Sequence, residues 1–214
     1  INYVDAMNWG LEQLASFPLS LRLIRNIHAR LIHNTHGANK NPGEFRTSQN
    51  WIGPAGCTLN TATFVPPTVP DMNVALGDLE LFIHQEDFIP ALVKIAMIHA
   101  QFETIHPFLD GNGRMGRLLI TFWLCQQNIL TKPLLYLSFY FKKNRAEYYD
   151  RLMAVRKNGD WENWIKFFLR GIAEVSDEAT ESARAILKIK EDATNALYKK
   201  DGTNSNYQRL LNYL

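Results

Sequence analysis

The sequence has few of the features that mark secreted, membrane-spanning or strongly charged proteins. It contains only two cysteines among 214 residues, so no disulfide framework can support it, and a reducing cytoplasm is the expected compartment. No apolar run approaches the roughly 20 residues of a membrane span, and the first ten residues show no signal-peptide pattern. The formal net charge is only +2, which gives no indication of binding to nucleic acid or to a membrane.

The composition is that of an ordinary globular domain. Hydrophobic residues make up 46% of the chain and charged residues 21%, which excludes a mostly disordered protein. The length allows one full domain with a small appendage.

Apolar residues recur at helical spacing through most of the chain. Ser20 is predicted to cap one helix, whereas residues 61–71, rich in proline, are predicted to form no regular element. Residues 44–53 (EFRTSQNWIG) contain β-type residues with a glycine at each flank, which predicts a short β-hairpin. The predicted fold is therefore all-α, a helical bundle with one short β-hairpin. The predicted helices cover residues 4–33, with a break near residue 18, and residues 73–85, 90–104, 114–128, 145–157, 161–174 and 176–199.

One segment of twelve residues, HPFLDGNGRMGR at positions 106–117, holds the residues that suggest chemistry. A Gly-Asn-Gly sequence before a helix can adopt positive φ angles and turn successive N–H groups into one concavity, which is a nest for an anion. The helix that follows adds its own free N–H groups and the positive end of its dipole. Arg114 and Arg117 lie three residues apart on that helix, so their guanidinium groups share a face and suit phosphate oxygens.

Two further side chains of this segment complete a set for phosphate chemistry. Asp110 is a single carboxylate beside the nest, which is what Mg²⁺ usually takes from a protein when a polyphosphate supplies other ligands. His106 can accept a proton near neutral pH. Taken alone, a Gly-x-Gly sequence is a weak signal and a histidine before proline is usually structural. Their joint occurrence favours a site for phosphoryl or nucleotidyl transfer.

The same segment resembles the signature of the Fic family, His-x-Phe-x-Asp/Glu-Gly-Asn-Gly-Arg-x-x-Arg, at every defined position. The resemblance extends over residues 2–168, since GEFRTSQNWIG resembles the flap hairpin of the family and the Tyr148-Tyr149 pair lies where many members have it. It implies a Fic domain over residues 1–175. Residues 176–214 would then form a C-terminal helix and the start of an incomplete connection to a winged-helix domain, so nucleic acid would bind only through a domain that this chain lacks.

The resemblance implies a protein adenylyltransferase, which transfers AMP from ATP to a Ser, Thr or Tyr hydroxyl of a target protein. His106 would be the general base and Asp110 would hold Mg²⁺. Gly113 favours nucleotidyl transfer, because a relative that phosphorylates its target has a bulkier lysine there and binds the nucleotide reversed. Phe108 would anchor the loop in the core. The residues expected to bind ATP and its phosphates are Gly111, Asn112, Gly113, Arg114, Met115, Gly116 and Arg117, with the Asn112 side chain on a phosphate oxygen.

Two more groups of residues have a functional and a structural interpretation. The flap residues Asn50, Trp51, Ile52 and Gly53 would lie over the site and hold an extended target segment by β-augmentation, or Trp51 would only pack a loop. The second group would line an adenine pocket, or else consist of a core tyrosine and a solvated arginine. It comprises Tyr148, Tyr149 and Arg156.

Two other functions remain open from the sequence. The same site can run in reverse and remove AMP from a modified protein, or the chain can be a regulatory module of a larger DNA-binding protein. Many members carry an inhibitory helix with the pattern Ser/Thr-x-x-x-Glu, and no serine or threonine here has a glutamate four residues later. Such a helix is therefore expected outside this chain or from a partner. The oligomeric state is open and allows a homodimer. The spacing of His28, His33 and His36 does not favour a metal site.

Overall fold

The structure, a computed structural model, describes residues 2–33, 39–133 and 135–200, with side chains up to residue 196. Within these ranges the chain forms eight α-helices, one short 3₁₀ turn at Leu59–Thr61 and no β-sheet. The predicted all-α class is confirmed. The helices are α1 (Asn2–Leu14), α2 (Leu21–Ile32), α3 (Val69–His84), α4 (Ala91–Ile105), α5 (Asn112–Gln126), α6 (Leu137–Lys143), α7 (Arg145–Asn158) and α8 (Trp161–Lys200).

Side-chain caps determine where two of the helices begin. The Ser20 hydroxyl accepts the N–H of Leu23, as the sequence predicts for the start of α2. Thr68 caps α3 in the same way, and Pro70 occupies its first turn, where a missing N–H costs nothing. The proline-rich segment therefore ends in a helix, and the prediction that residues 61–71 form no regular element is wrong for its last residues.

The core is built around α4 and α5. Helix α4 packs against α3, α5, α7 and α8, while α5 packs against α1, α2 and α4. Their apolar side chains are buried almost all round, as shown by Ile95, Phe102 and Phe122, each with no exposed surface. The loop that joins these two central helices is residues 106–111, so the twelve-residue motif lies directly against the core.

Helix α8 is one continuous helix of 40 residues, about 60 Å long at 1.5 Å per residue. The sequence predicts two helices here, and that prediction is wrong because no proline or glycine interrupts the chain between residues 172 and 200. Its first part buries Trp164, Phe167 and Phe168 against the core, whereas the described side chains beyond residue 176 are mostly exposed. None of the described helices is long and apolar enough to cross a membrane. The predicted turn at residues 200–205 and the element predicted at 207–214 lie outside the described residues, apart from residue 200.

The β-hairpin predicted over residues 44–53 is not found. The only β-type pairing in the described ranges joins Ile52 to Phe64, through reciprocal N–H to C=O bonds of 2.8 and 3.0 Å. Residues 44–50 contact the motif loop instead, since the Arg46 N–H donates to the carbonyl of Pro107 at 2.8 Å. Because the Arg46 N–H binds the motif loop, it is not available for a ladder within the segment.

Candidate active site

His106 lies at the C-terminal end of α4 in a left-handed backbone conformation, with φ 49° and ψ 60°. This conformation ends the helix and turns the chain toward α5. Its Nδ1 atom is buried and has no hydrogen-bond partner among the described residues. Burial lowers the pKa of His106 to about 4, with the Glu103 carbonyl opposing this shift and the charges of Arg156 and Arg46 adding to it. The imidazole is therefore neutral at pH 7 and can accept a proton.

A buried arginine holds the backbone on which His106 sits. The Arg46 guanidinium donates to the carbonyls of His106 at 3.1 Å, Pro67 at 2.5 Å, Ser48 at 3.3 Å and Ile105 at 3.5 Å. Only 2% of Arg46 is exposed. Two of its acceptors belong to the last turn of α4, where the helix dipole presents partial negative charge. Sequence reasoning missed this residue, since nothing in EFRTSQ distinguishes it from a surface arginine.

Phe108 anchors the motif loop in the core, as predicted. It is fully buried and stacks on the His28 ring with centroids 3.7 Å apart and planes 5° from parallel. His28 also bonds the loop: its Nδ1 accepts the Gly43 N–H at 2.9 Å, so the proton lies on Nε2, which donates to the Asp110 carbonyl at 2.9 Å. Burial lowers the pKa of His28, which keeps the ring neutral. Its position on the apolar face of α2 was the available sequence signal for a buried role.

Asn112 and Gly111 determine the geometry at the start of α5. The Asn112 side chain accepts the Phe108 N–H at 2.8 Å and donates to the Phe108 carbonyl at 2.7 Å, so both of its polar atoms bind the loop. The sequence predicts this amide on a phosphate oxygen, and the structure places it on the backbone instead. Gly111 has φ 79°, and a Cβ there would lie 2.5 Å from Ile32. Glycine is therefore required at this position by both conformation and space.

At the N-terminus of α5, Gly111 and Asn112 are buried, whereas Gly113 and Arg114 are partly exposed. The first N–H groups of any helix lack intrahelical acceptors, and the helix dipole adds positive potential there. The Asp110 carboxylate accepts the Gly111 N–H at 2.6 Å, and its other oxygen lies 3.6 Å from the Arg114 guanidinium. Asp110 and Arg114 are both partly exposed. Backbone donors, one carboxylate and one arginine therefore surround the same surface.

Behind this surface, α4 and α5 approach closely at Gly116. A Cβ on Gly116 would lie 2.6 Å from Oε1 of Glu103, so a side chain there would displace the Glu103 carboxyl group. His99, one turn earlier on α4, meets the Gly116 carbonyl through Nδ1 at 3.0 Å and the Tyr148 hydroxyl through Nε2 at 2.9 Å. Burial lowers the pKa of His99 to about 3, so this ring is neutral.

The flap residues are partly tied to the loop and partly exposed. The Asn50 side-chain amide donates to the carbonyls of Phe108 at 3.1 Å and His106 at 3.4 Å. Trp51 is 43% exposed, and its indole N–H donates to the Cys57 carbonyl at 3.0 Å. Ile52 and Gly53 follow, with Ile52 in the bridge to Phe64. The segment thus borders the motif loop through Asn50.

Two of the three residues of the predicted adenine pocket lie together, since the ring centroids of Tyr148 and Tyr149 are 5.3 Å apart. Tyr148 is buried on His99, as described above. Tyr149 is 48% exposed beside Arg145. Arg156 lies two turns further along α7, where its guanidinium donates to the Glu103 carbonyl and covers the ring of Phe64 at 3.8 Å. Tyr148 and Tyr149 both line a groove to which Arg156 does not contribute, and whose other residues include Arg117, Tyr136, Phe139, Lys142 and Arg145.

No metal cluster is present in the part of the chain that the structure describes. No group of three or more His, Cys, Asp or Glu side chains there could hold an ion. Of the three histidines weighed from the sequence, His28 binds the loop, His33 ends α2, and His36 lies outside the described residues.

Comparison with known proteins gives a consistent result. The model of the Fic/DOC family matches residues 18–124. A protein of Aedes aegypti named "Protein adenylyltransferase Fic" is 32% identical over 165 residues, which is 76% of this chain and 29% of that protein. This chain therefore spans less than a third of the length of that relative.

Solved structures share the fold. A Fic family protein from Desulfovibrio desulfuricans superposes with a TM-score of 0.69 at 22% identity, covering 85% of this chain and 53% of that one. The BepC protein of Bartonella tribocorum, solved with bound AMPPNP, gives a TM-score of 0.51 at 17% identity, covering 78% of this chain and 84% of that one.

Proposed function

Because this chain belongs to the Fic/DOC family, we propose that it is a protein adenylyltransferase, which transfers AMP from ATP to a hydroxyl group of a protein. The name of the Aedes relative supports this activity. The observation that carries the proposal is the arrangement of residues 106–117. A neutral imidazole at the end of α4 and the anion-binding start of α5 are joined by a loop of six residues, which buried polar groups hold in place.

The proposed reaction uses this arrangement directly. Neutral His106 accepts the proton of the target hydroxyl while the hydroxyl oxygen attacks the α-phosphorus of ATP. The bond between the α-phosphorus and the bridging oxygen breaks, and pyrophosphate leaves. The α5 N-terminus, Arg114 and Arg117 bind the phosphates and stabilise the charge that develops on them.

The donor set fits Mg²⁺ only together with the nucleotide. Asp110 is the exposed carboxylate at the nest, with 44% of its side chain accessible, so it can offer one oxygen to a cation. The remaining ligands would be phosphate oxygens and water, which is the usual arrangement for this ion. When bound, Mg²⁺ would neutralise charge on the phosphates.

The exposed residues beside the loop are the proposed binding surface for the target. Trp51, Ile52 and Gly53 lie next to Asn50, which is bonded to the motif loop, so an extended target segment along them would pass close to His106. Backbone pairing with such a segment would require little side-chain selectivity. Within the described residues, the segment itself forms one β-bridge, between Ile52 and Phe64, and no hairpin.

The intact mass of the protein after incubation with Mg²⁺ and ATP tests the proposal. We expect one or more added AMP groups through self-modification, and the label of α-³²P-ATP but not of γ-³²P-ATP on the protein. His106→Ala should lower this transfer by about 10²- to 10⁴-fold, the usual contribution of a general base. His84→Ala is the matched control, because His84 is exposed at the end of α3 and should leave transfer unchanged.

Two outcomes would contradict the proposal. Transfer of the γ-phosphate would reverse the nucleotide orientation expected from Gly113. Complete absence of transfer, with ATP bound in the presence of Mg²⁺, would exclude adenylyltransferase activity for this chain.

A further inference from the structure

Glu103 is a buried carboxyl group for which the proposed reaction has no use. It lies on α4, one turn before His106, and is only 7% exposed. Its Oε1 atom is fully buried and has no hydrogen-bond partner within the described ranges. A buried polar atom without a partner is costly, so its retention here requires a reason.

The carboxyl group points at the underside of the phosphate nest. A Cβ on Gly116 would lie 2.6 Å from its Oε1, so the absence of a side chain at residue 116 creates the space that Glu103 occupies. The point that a Cβ on Gly113 would occupy lies 3.8 Å from the same oxygen and 3.2 Å from Nη1 of Arg117. Glu103 and Arg117 therefore border the same glycine of the nest from two sides.

Of the charged groups around Glu103, Arg117 is the cation that has no other partner among the described residues. Arg156 on α7 is engaged, because it donates to the Glu103 carbonyl at 2.9 Å and to the Thr104 hydroxyl at 3.1 Å and covers Phe64. On α4 itself, His99 and His106 are neutral at pH 7, since burial lowers the pKa of both. Tyr148 faces Glu103 from α7 and is neutral too, because burial raises its pKa. Arg117, on α5, makes no hydrogen bond or ion pair in the described structure.

We propose that Glu103 is a positioning residue that competes with bound phosphate for the guanidinium of Arg117. The inference rests on the proposed function, because it takes the nest as the site of the nucleotide phosphates. Without an anion, the flexible Arg117 side chain is attracted inward to the carboxylate. A phosphate at the nest draws the guanidinium back, and Glu103 is then left with an unpaired buried charge unless it takes up a proton.

This competition has a defined pH dependence. Burial raises the pKa of Glu103 to about 7, against the opposing charges of Arg117 and Arg156. A bound anion disfavours the carboxylate and raises the pKa further, so binding takes up a proton. Phosphate affinity should therefore be undiminished below pH 7, where Glu103 is neutral, and should fall as the pH rises above 7.

Binding of inorganic tripolyphosphate, measured by calorimetry at pH 6.0 and pH 8.5, tests the inference without any transfer reaction. Glu103→Gln keeps the shape and removes the charge. At pH 6.0 it should bind like the natural protein, and at pH 8.5 about tenfold more tightly. Glu147→Gln is the control, since Glu147 lies on α7 in a half-buried pair with Arg151 and should change neither value.

A second measurement separates competition for Arg117 from plain repulsion. The ¹³C signal of the Glu103 carboxyl reports its pKa directly. In the natural protein this pKa should rise when tripolyphosphate binds. Without tripolyphosphate, Arg117→Gln should raise the pKa of Glu103, because a neighbouring positive charge is lost. Adding tripolyphosphate to this variant should then raise the pKa less than it does in the natural protein, because the competing cation has gone.

Four outcomes would overturn the inference. In the binding experiment at pH 8.5, Glu103→Gln could bind tripolyphosphate no more tightly than Glu147→Gln, or more weakly than the natural protein. The pKa of Glu103 could fail to respond to Arg117→Gln. Finally, the natural protein could fail to bind tripolyphosphate at all. Binding that follows the prediction without any transfer of AMP would support the inference and contradict the proposed function, so the two are judged separately.

Discussion

The motif loop at residues 106–111 and the exposed segment at residues 51–63 lie side by side but are held very differently. Buried polar side chains fix the loop, namely His28, Arg46 and Asn112, and Phe108 anchors it in the core. The exposed segment has one β-bridge to Phe64, one indole bond and a short 3₁₀ turn. Most of its residues are exposed to solvent.

This difference matches what each region is proposed to do. Proton transfer to His106 and attack at phosphorus require atoms held to within a fraction of an ångström, so a loop with satisfied buried bonds is suited to it. A surface that accepts protein segments needs accessible backbone more than rigidity. Stability should therefore be concentrated in the loop and its supports.

The largest effect is expected for Arg46→Ala. It leaves the four carbonyls around the guanidinium without their donor and creates a cavity beside His106, which should lower the free energy of unfolding by about 3–5 kcal/mol. Urea unfolding measures this loss. Arg22→Ala removes an exposed arginine of α2 and should cost less than about 0.5 kcal/mol. Equal losses would show that the loop does not depend on its buried cation.

Asn112→Ala should have the next largest effect. It removes the two hydrogen bonds to the Phe108 backbone, and the expected loss is about 2–3 kcal/mol, although alanine favours the helix more than asparagine does. Asn73→Ala, at an exposed position of α3, should be neutral or slightly stabilising. Thermal unfolding of both variants compares them, and a stable Asn112→Ala would contradict the role of this clamp.

The pH dependence of stability should be traceable to His99. Its pKa is about 3 in the folded protein and about 6.5 in the unfolded chain, so the unfolded state binds more protons and stability falls as the pH drops below 6.5. Between pH 6.5 and 5.0 this single group should remove about 2 kcal/mol. His99→Gln has no titrating ring at this position, so it does not lose this stability as the pH falls. The difference in unfolding free energy between the natural protein and the variant should therefore be smaller at pH 5.0 than at pH 7.0. Urea titrations at the two pH values give both deficits, and a constant difference would contradict the buried neutral ring.

The smallest effect is expected in the exposed segment. Trp51→Ala removes a side chain that is 43% exposed and one hydrogen bond, so the unfolding free energy should fall by less than about 1 kcal/mol. Phe108→Ala, in the loop, should cost about 3–5 kcal/mol in the same urea experiment. If Trp51→Ala cost as much as Phe108→Ala, the two regions would be equally ordered and the comparison would fail.

The sequence predicted much of the fold because helices are encoded locally. Apolar spacing located most of the helices to within a few residues, and the Ser20 cap was identified because its partner is only three residues away. The predictions failed where local pattern and packing disagreed. Residues 44–53 resemble a strand by composition, but their polar groups bond to the motif loop, and α8 continues where a break was expected.

The sequence also indicated the residues of the motif, which are neighbours along the chain, but not the distant residues that support them. Residues 106–117 are contiguous, so their type and order alone indicated the nest, its carboxylate and its arginines. The groups that hold the nest are distant in sequence. His28 meets Asp110 across 82 positions and Arg46 meets His106 across 60, and no periodicity connects residues so far apart.

The sequence by itself therefore determined the helical class, the family and the twelve residues proposed for the chemistry, because each follows from neighbours along the chain. Only the tertiary structure decided that Asn112 binds the backbone, that Arg156 binds the Glu103 carbonyl, and that the Glu103 carboxyl group is buried near Gly113. These properties depend on which surfaces of α4, α5 and α7 meet. That packing depends on shape and burial over the whole core, which a linear pattern does not contain.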